Sequence, residues 1–377
     1  MGTNDPFPTL RALTKEAGLS CEGYDLAVRG TARAEDKLRK ALRVVPGGER
    51  LFNADASLVL CGSFARHEML KGSDYDWSLL IDGVVDNDHA VLGRTIDSAI
   101  RKAKLPSPGN TGTFGNLVFS HDLVHRIGGG ADSNANLTRR VLMLLESRPL
   151  SLSGGDSSNV VWENVLRNIL ERYFEEDVHF STRKPRVPRF LLNDLTRYWR
   201  TICVDYAAKH RELDGRKWAI RNAKLRFSRK LLYASGLAFC LSCELDPPSS
   251  NHVGLFNFED HTSGPFIRSA TAFAQTAALE YLAAFIDTFV RDSRRRNKIV
   301  RLIFGTYNWW LTTMSNTHKR TELENLGHER ANESAIFQNV RNKSRDFAQG
   351  LELLFFNHDR QQKRDKIAHL SLQYIGF

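Results

Sequence analysis

The sequence has no long apolar run. Its longest near-apolar stretch, Leu231 to Leu241, falls well short of the ~20 residues that a bilayer-spanning helix needs. A membrane partner is therefore not expected. The first residues, MGTNDPFPTLRALTKEAG, carry acids and lack an apolar centre, so they do not read as a secretory signal. Cysteine is scarce, with five residues at Cys21, Cys61, Cys203, Cys240 and Cys243. Five scattered thiols make no disulfide framework, and a reducing compartment, the cytoplasm, is the expectation. Cys240 and Cys243 have C-x-x-C spacing, but no second Cys or His pair accompanies them at zinc spacing. They lie in an apolar helical pattern and read as buried thiols. Internal repeats and low-complexity tracts are also lacking.

Apolar residues are plentiful. Of the 377 residues, 42% are hydrophobic and 10% aromatic, enough for buried cores and too many for a disordered chain. The formal charge is +10, and its distribution is uneven. Residues 182 to 230 hold 15 Lys and Arg against 4 Asp and Glu, so one segment accounts for the basic character. The length suggests two or three domains. We divide the chain at residues 1–155, 156–250 and 251–377. The first part reads as a mixed-sheet domain behind an N-terminal helix, the second as a basic helical domain, and the third as helical.

Periodicity and punctuation support that division. Charges and apolar residues mix from Leu26 to Val45, and Pro46-Gly47-Gly48 stops the pattern. Val91, Leu92, Ile96 and Ile100 predict a helix over 86–104, with Asp86 or Asn87 as its cap. A turn-rich loop, Ser107 to Gly112, precedes a strand expected at Phe114 to Phe119. Ser120 then caps a short helix, and Asn136 to Leu150 reads as one apolar helix carrying the basic pair Arg139 and Arg140. Pro149 to Asn159 is the best linker. Beyond it the pattern is helical, at Val160–Glu175, Arg189–Ala208, Lys217–Leu245, Ala270–Val290, Ile299–Thr313 and Gln338–Phe356. The fold class expected is α+β.

The chemistry concentrates in LVLCGSFARHEMLKGSDYDWSLLID, Leu58 to Asp82. An apolar run ends at Gly62-Ser63. After ten intervening residues Asp74-Tyr75-Asp76 opens a second apolar run. Side chains two apart on a strand share a face, so Asp74 and Asp76 converge. Two adjacent carboxylates repel unless a cation lies between them, which favours a divalent metal. Gly62 lets backbone approach a phosphate closely. Ser63 offers a hydroxyl and an N–H to the same group. His67 and Glu68 read as scaffold or solvated residues rather than catalytic ones.

Gly62-Ser63, the ten-residue interval and Asp74-x-Asp76 at the head of an apolar strand resemble the polymerase-beta-like nucleotidyltransferase superfamily. The sub-pattern GSFARHE…GSDYDWSLLI is most similar to the minimal nucleotidyltransferases and to the catalytic domain of the uridylyltransferase that modifies the PII nitrogen regulator. NLTRRVLMLLESRPLS resembles the segment that follows that core. The resemblance covers residues 50 to 155 well and 185 to 245 loosely.

It implies an enzyme, a two-metal nucleotidyltransferase using Mg2+ or Mn2+ held by Asp74 and Asp76. The substrate implied is a nucleoside triphosphate such as ATP, the products a nucleotidylated acceptor hydroxyl and pyrophosphate. The resemblance favours an acceptor protein, with RNA, a small molecule or a second nucleotide as other acceptors. A third carboxylate is common in the superfamily. The expected third strand has no acid, which leaves Asp122, at a helix start, or Asp132, in a Gly-rich loop. Arg66 is a candidate for phosphate or for a scaffold ion pair with an acid such as Asp74. Arg221 and Lys224, on one helical face with Lys217, are candidates for the triphosphate. Trp218 and Phe227 among the basic residues raise RNA binding, against a place in a buried stripe. Arg294-Arg295-Arg296 reads as a solvated helix end. The alternative from a different class is an inactive nucleotidyltransferase fold that binds nucleotide or RNA as a regulatory module.

Overall fold

The structure, a computed structural model, describes residues 5–43, 55–84, 86–109, 112–151, 158–178, 187–212, 217–245, 252, 254–258, 264–356 and 365–375. It is α+β, mostly helical with one small mixed sheet. In chain order the elements begin with α1 (Pro8–Glu16), α2 (Glu22–Arg43), β1 (Ala56–Cys61), α3 (Gly62–Ala65), β2 (Trp77–Ile81), α4 (Asn87–Lys102), β3 (Asn116–Phe119), α5 (Ser120–Val124), α6 (Asn134–Leu145) and β4 (Ser147–Pro149). Helices follow: α7 (Ser158–Val178), α8 (Arg189–Glu212), α9 (Trp218–Lys224), a π turn (Leu225–Arg229) and α10 (Lys230–Ser242). Then come α11 (Gly264–Gln275), α12 (Ala278–Phe289), α13 (Ser293–Val300), a second π turn (Arg301–Gly305), α14 (Thr306–Ser315), α15 (Thr317–Asn325), α16 (Ala335–Phe355) and α17 (Lys366–Ile375).

The chain forms two compact units. One gathers Met1–Leu26, Arg183–Asp260 and Ala278–Phe377, and the other Ala27–Thr182 and His261–Ala277. This grouping differs from a division at residues 155 and 250. Part of the third expected segment, in α11, packs with α6 and α7 of the sheet-bearing unit.

In the sheet-bearing unit the strand order is β3-β2-β1-β4. β1 pairs antiparallel with β2 and β4, and β2 pairs parallel with β3. A parallel pair needs a crossover, and α4 supplies it. The α4 cap is Asp86, whose carboxylate accepts from the N–H groups of Asp88 and His89 while His89 reaches back to it. Alternation sorts the strands into two faces. Ala56, Leu58 and Leu60 lie opposite Ile81, Leu79 and Trp77 and form a core with Leu38 and Leu42 of α2 and Ile96 and Ile100 of α4. The other face carries Ser57, Val59, Cys61, Ser78 and Leu80.

α2 also fixes the connection between β1 and β2. At Gly30 a Cβ would come within 2.0 Å of the Met69 carbonyl oxygen, so only glycine allows this approach. The neighbouring Thr31 hydroxyl then accepts from the Met69 N–H at 3.0 Å.

Several sequence expectations shift here. The helix expected over Asn136 to Leu150 starts at Asn134, capped by Ser133, and stops at Leu145. Ser147-Arg148-Pro149 then pairs with β1 as an unforeseen strand. The expected helix over Ala270 to Val290 is broken by Thr276 and Ala277 into α11 and α12. Of the expected linker, residues 152–157 lie outside the described residues. Among the described residues, no helix is long and apolar enough to cross a membrane.

The other unit is helical, with an aromatic core. Phe227 is fully buried and stacks on Trp310 at 5.0 Å between ring centres. Trp218 packs on Phe337 and His328. Trp218 and Phe227 therefore pack among core rings. Cys240 and Cys243 are buried, as expected. Arg295 and Arg296 are not a solvated helix end. Arg295 pairs with Asp365 at 2.6 Å and donates to the Leu353 and Leu354 carbonyls, while Arg296 pairs with Glu16.

Candidate functional site

β2 begins at Trp77, so Asp74 and Asp76 stand just before its first residue. The ladder nevertheless continues, because the Cys61 N–H donates to the Asp76 carbonyl at 2.9 Å. Asp76 thus falls on the face that carries Ser78 and Leu80, beside Cys61. Gly62 follows at φ +63, a left-handed conformation that favours glycine. A Cβ there would lie 2.7 Å from Asp76 Oδ2. The Gly-Ser turn and the second carboxylate are in direct contact because a side chain is missing between them.

Gly109 completes the arrangement. Its N–H donates to Asp76 Oδ1 at 3.2 Å, and its Cβ position is 3.8 Å from Asp74 Oδ2. Gly109 thus holds Asp76 directly and lies near Asp74. Sequence reasoning placed Gly109 only in a turn-rich loop. Its role depends on a contact across 33 residues that no local pattern reveals. Asp74 is exposed and Asp76 half-buried. The Ser63 hydroxyl meets the Met69 sulfur at 3.3 Å. Burial, with the Asp76 and Glu146 carboxylates near, pushes the Cys61 thiol well above its ordinary range, so it is no thiolate nucleophile. Past Asp76 the same face borders a small cleft lined mainly by Leu80, Val118, Phe114, Leu142 and Met143, with Arg139 at its wall.

Asp122 is not brought to this pair. β2 and β3 run parallel, with Ile81 beside Phe119, so Asp122 lies past the far ends of both strands. At ~3.3 Å per residue, the five residues from Asp76 to Ile81 alone put it on the order of 15 Å away. Asp122 instead pairs with Arg126 one helical turn on, at 3.0 Å. Asp132 is also engaged elsewhere. Its two oxygens take both forks of the fully buried Arg140 at 2.7 and 3.1 Å, and Arg140 Nε donates to the Tyr173 hydroxyl.

Arg66 is a scaffold residue of a buried ion cluster. Its guanidinium is buried and pairs with Glu68 at 2.9 Å and with Glu146. The backbone of Glu146 accepts from the Gly62 N–H at 3.2 Å. One buried ion cluster thereby ties the Gly-Ser turn to the end of α6. Arg221 and Lys224 lie in the helical unit. Arg221 stacks over the Tyr206 ring at 5.7 Å, and Lys224 is exposed at the end of α9.

His67 sits just past the turn at φ 59. Burial, reinforced by the Arg148 guanidinium and opposed by Glu35, lowers its pKa to about 4 from 6.5. Below pH 6.5 the unfolded chain takes up a proton that the folded chain refuses. Folding stability therefore falls as pH drops from 6.5 towards about 4, by roughly 3 kcal/mol in all, and levels off below. His67→Asn suits the left-handed backbone and removes the titration. The variant is expected to lose this part of the pH dependence in urea denaturation curves at pH 7 and pH 4.5. An unchanged slope would show that His67 is not its source.

No cluster of three or more His, Cys, Asp or Glu side chains able to hold a metal ion is present among the described residues. Asp74 and Asp76 remain a pair. Such a pair still suits Mg2+, which takes one or two carboxylates and completes its octahedron with water and substrate phosphate oxygens. No known family model matches this chain, and neither a curated protein nor a solved structure matches it.

Proposed function

We propose that the protein is a metal-dependent nucleotidyltransferase, which moves a nucleotidyl group from a nucleoside triphosphate to an acceptor hydroxyl and releases pyrophosphate. The observation that carries this reading is the contact of Asp76 Oδ2 with the Gly62 turn, with Asp74 two residues upstream at the same strand end. A turn without a side chain beside paired carboxylates is what a triphosphate with its cation needs. Asp74 and Asp76 would hold Mg2+ or Mn2+, which supplies charge stabilisation at the phosphate undergoing transfer. Gly62 leaves room for the Asp76 carboxylate to lie against the turn, and the Ser63 hydroxyl and N–H would be the donors nearest in sequence to the phosphate chain. Gly109 orients the Asp76 carboxylate. The cleft beyond Asp76 keeps that face largely apolar.

The acceptor favoured is a protein hydroxyl, on resemblance alone. Incubation with the four α-labelled triphosphates, Mg2+ or Mn2+ and a host lysate is expected to move label from one triphosphate onto a macromolecule, with pyrophosphate released. Protease or ribonuclease sensitivity then identifies the acceptor. Binding of a triphosphate with no label moved to any acceptor would replace this reading by that of an inactive, nucleotide-binding fold.

A further inference from the structure

In the helical unit, four cations gather where the first π turn meets α16. Arg226 lies in the π turn, Lys230 opens α10, and Arg341 and Arg345 stand one turn apart on α16. Arg226 is half-buried. Its Nε donates to Asn222 Oδ1 at 2.6 Å and its Nη1 to the hydroxyl of the buried Ser344 at 3.2 Å. Arg341 donates to Asn332 Oδ1 at 2.9 Å, and Arg345 to Asn342 Oδ1 at 3.5 Å. Every one of these acceptors is neutral. Among the described residues none of the four cations forms an ion pair, although Lys343 between them does, with Asp346.

The charges act on one another. Burial first, then Arg341 and Arg345, lower the pKa of Arg226, and burial with Arg226 lowers that of Lys230. Partly desolvated like charges destabilise a fold unless an anion joins them. The π turn is a further sign, since such turns break helical regularity and recur at functional positions.

We propose that this surface seats the phosphodiester backbone of a nucleic acid. A strand matches the layout better than a free nucleotide does. The cations extend over the π turn, α10 and α16 and continue to the exposed Lys224 on α9. They are thus arrayed for several phosphates rather than one. The nearby aromatics, Phe227 and Trp218, pack against core rings, so backbone contact rather than base stacking carries the binding. The surface recognises charge spacing and not sequence. It lies within one unit and stands independently of the reading given to Asp74 and Asp76.

Fluorescence anisotropy of the full chain with a labelled RNA strand and a labelled DNA duplex, across a salt series, tests this. Binding is expected to weaken steeply with salt. Arg341→Ala/Arg345→Ala is expected to lower affinity on the order of 10-fold and to make the log–log salt slope shallower by about 1.4 on the single strand, two phosphate contacts being lost. The control Arg294→Ala/Lys298→Ala removes two exposed cations from α13 and is expected to change affinity by less than about 2-fold if net charge is not the cause. Arg345→Glu, at an exposed position, carries the test if the double variant folds poorly. Equal losses in both double variants, or no salt-dependent binding by the unaltered chain, overturn the proposal. So does a site that binds tripolyphosphate through Arg341 and Arg345 but neither nucleic acid. RNA binding without duplex binding, or the reverse, identifies the strand type within the proposal.

Discussion

Asp76→Asn is expected to reduce the proposed nucleotidyl transfer on the order of 10³-fold, the equivalent of losing about 4 kcal/mol of charge stabilisation at the transferred group. The substitution keeps shape and removes charge. An amide oxygen still accepts the Gly109 N–H that now reaches Asp76 Oδ1, and the side chain still fills the space left by Gly62. Folding should therefore survive, and a loss of rate reports on the carboxylate itself. Asp74→Asn should behave alike, because Asp74 stands at the same strand end and is exposed. Asp122→Asn is the internal control. Its position beyond the far end of β3 predicts a rate within about 2-fold of the unaltered chain, since no reacting atom lies within reach. The measurement is transfer from an α-labelled triphosphate at saturating Mg2+. Full activity in Asp76→Asn, or a loss in Asp122→Asn as large as that in Asp76→Asn, would remove the two-carboxylate reading.

Arg66→Ala should be among the most destabilising single substitutions in the sheet-bearing unit. Arg66, Glu68 and Glu146 are 6%, 4% and 2% exposed. Deleting the arginine leaves two carboxylates in a dry interior, and breaking a buried pair in this way costs about 3–5 kcal/mol. The effect is directional. Glu68→Gln or Glu146→Gln each removes one carboxylate and leaves Arg66 a remaining acidic partner, so each should cost less than Arg66→Ala. Arg66→Lys keeps the charge but loses the planar fork that spans both acids, and should fall between. Urea denaturation midpoints at neutral pH measure the series. An Arg66→Ala chain within about 1 kcal/mol of the parent would contradict the ion cluster. If the residue instead served the triphosphate, the Lys variant would raise the KM for nucleotide with no loss of stability. The cluster also bears on the site, because Glu146 holds the Gly62 N–H through its backbone.

Much of the candidate site's geometry was legible in the chain because its parts are local. Gly62-Ser63 ends β1, Asp74-x-Asp76 precedes β2, and strand alternation puts Asp76 next to Cys61 on one face. The absence of any acid from Gly112 to Phe119 was also legible. What the candidates Asp122 and Asp132 do was not. A helix-start acid and a loop acid look alike in sequence, and only the parallel direction of β3 and the burial of Arg140 separate them from the pair. The acid cluster around Arg66 was half visible. An ion pair was foreseen, but Glu146 is 80 residues away.

Helix boundaries failed where apolar runs are ambiguous. LMLLESRPL continues an amphipathic pattern, yet Ser147 to Pro149 leaves the helix to pair with β1. A three-residue strand has no periodicity of its own, and only its tertiary contacts define it. The third segment, residues 251–377, read only as helical. Its α16 is what brings Arg341 and Arg345 beside the basic segment at Arg226.

The sequence by itself determined the α+β class, the helical majority, the basic segment and the paired carboxylates after a Gly-Ser turn. These follow from composition, period and spacing, which are properties of neighbours along the chain. The tertiary structure decided which acids form ion pairs inside the fold, which arginines are scaffold, and that the Gly109 N–H reaches Asp76. Those outcomes depend on strand direction, on burial and on contacts between distant residues. Desolvation then decides whether a charge must find a partner inside the protein or is left to meet one from outside.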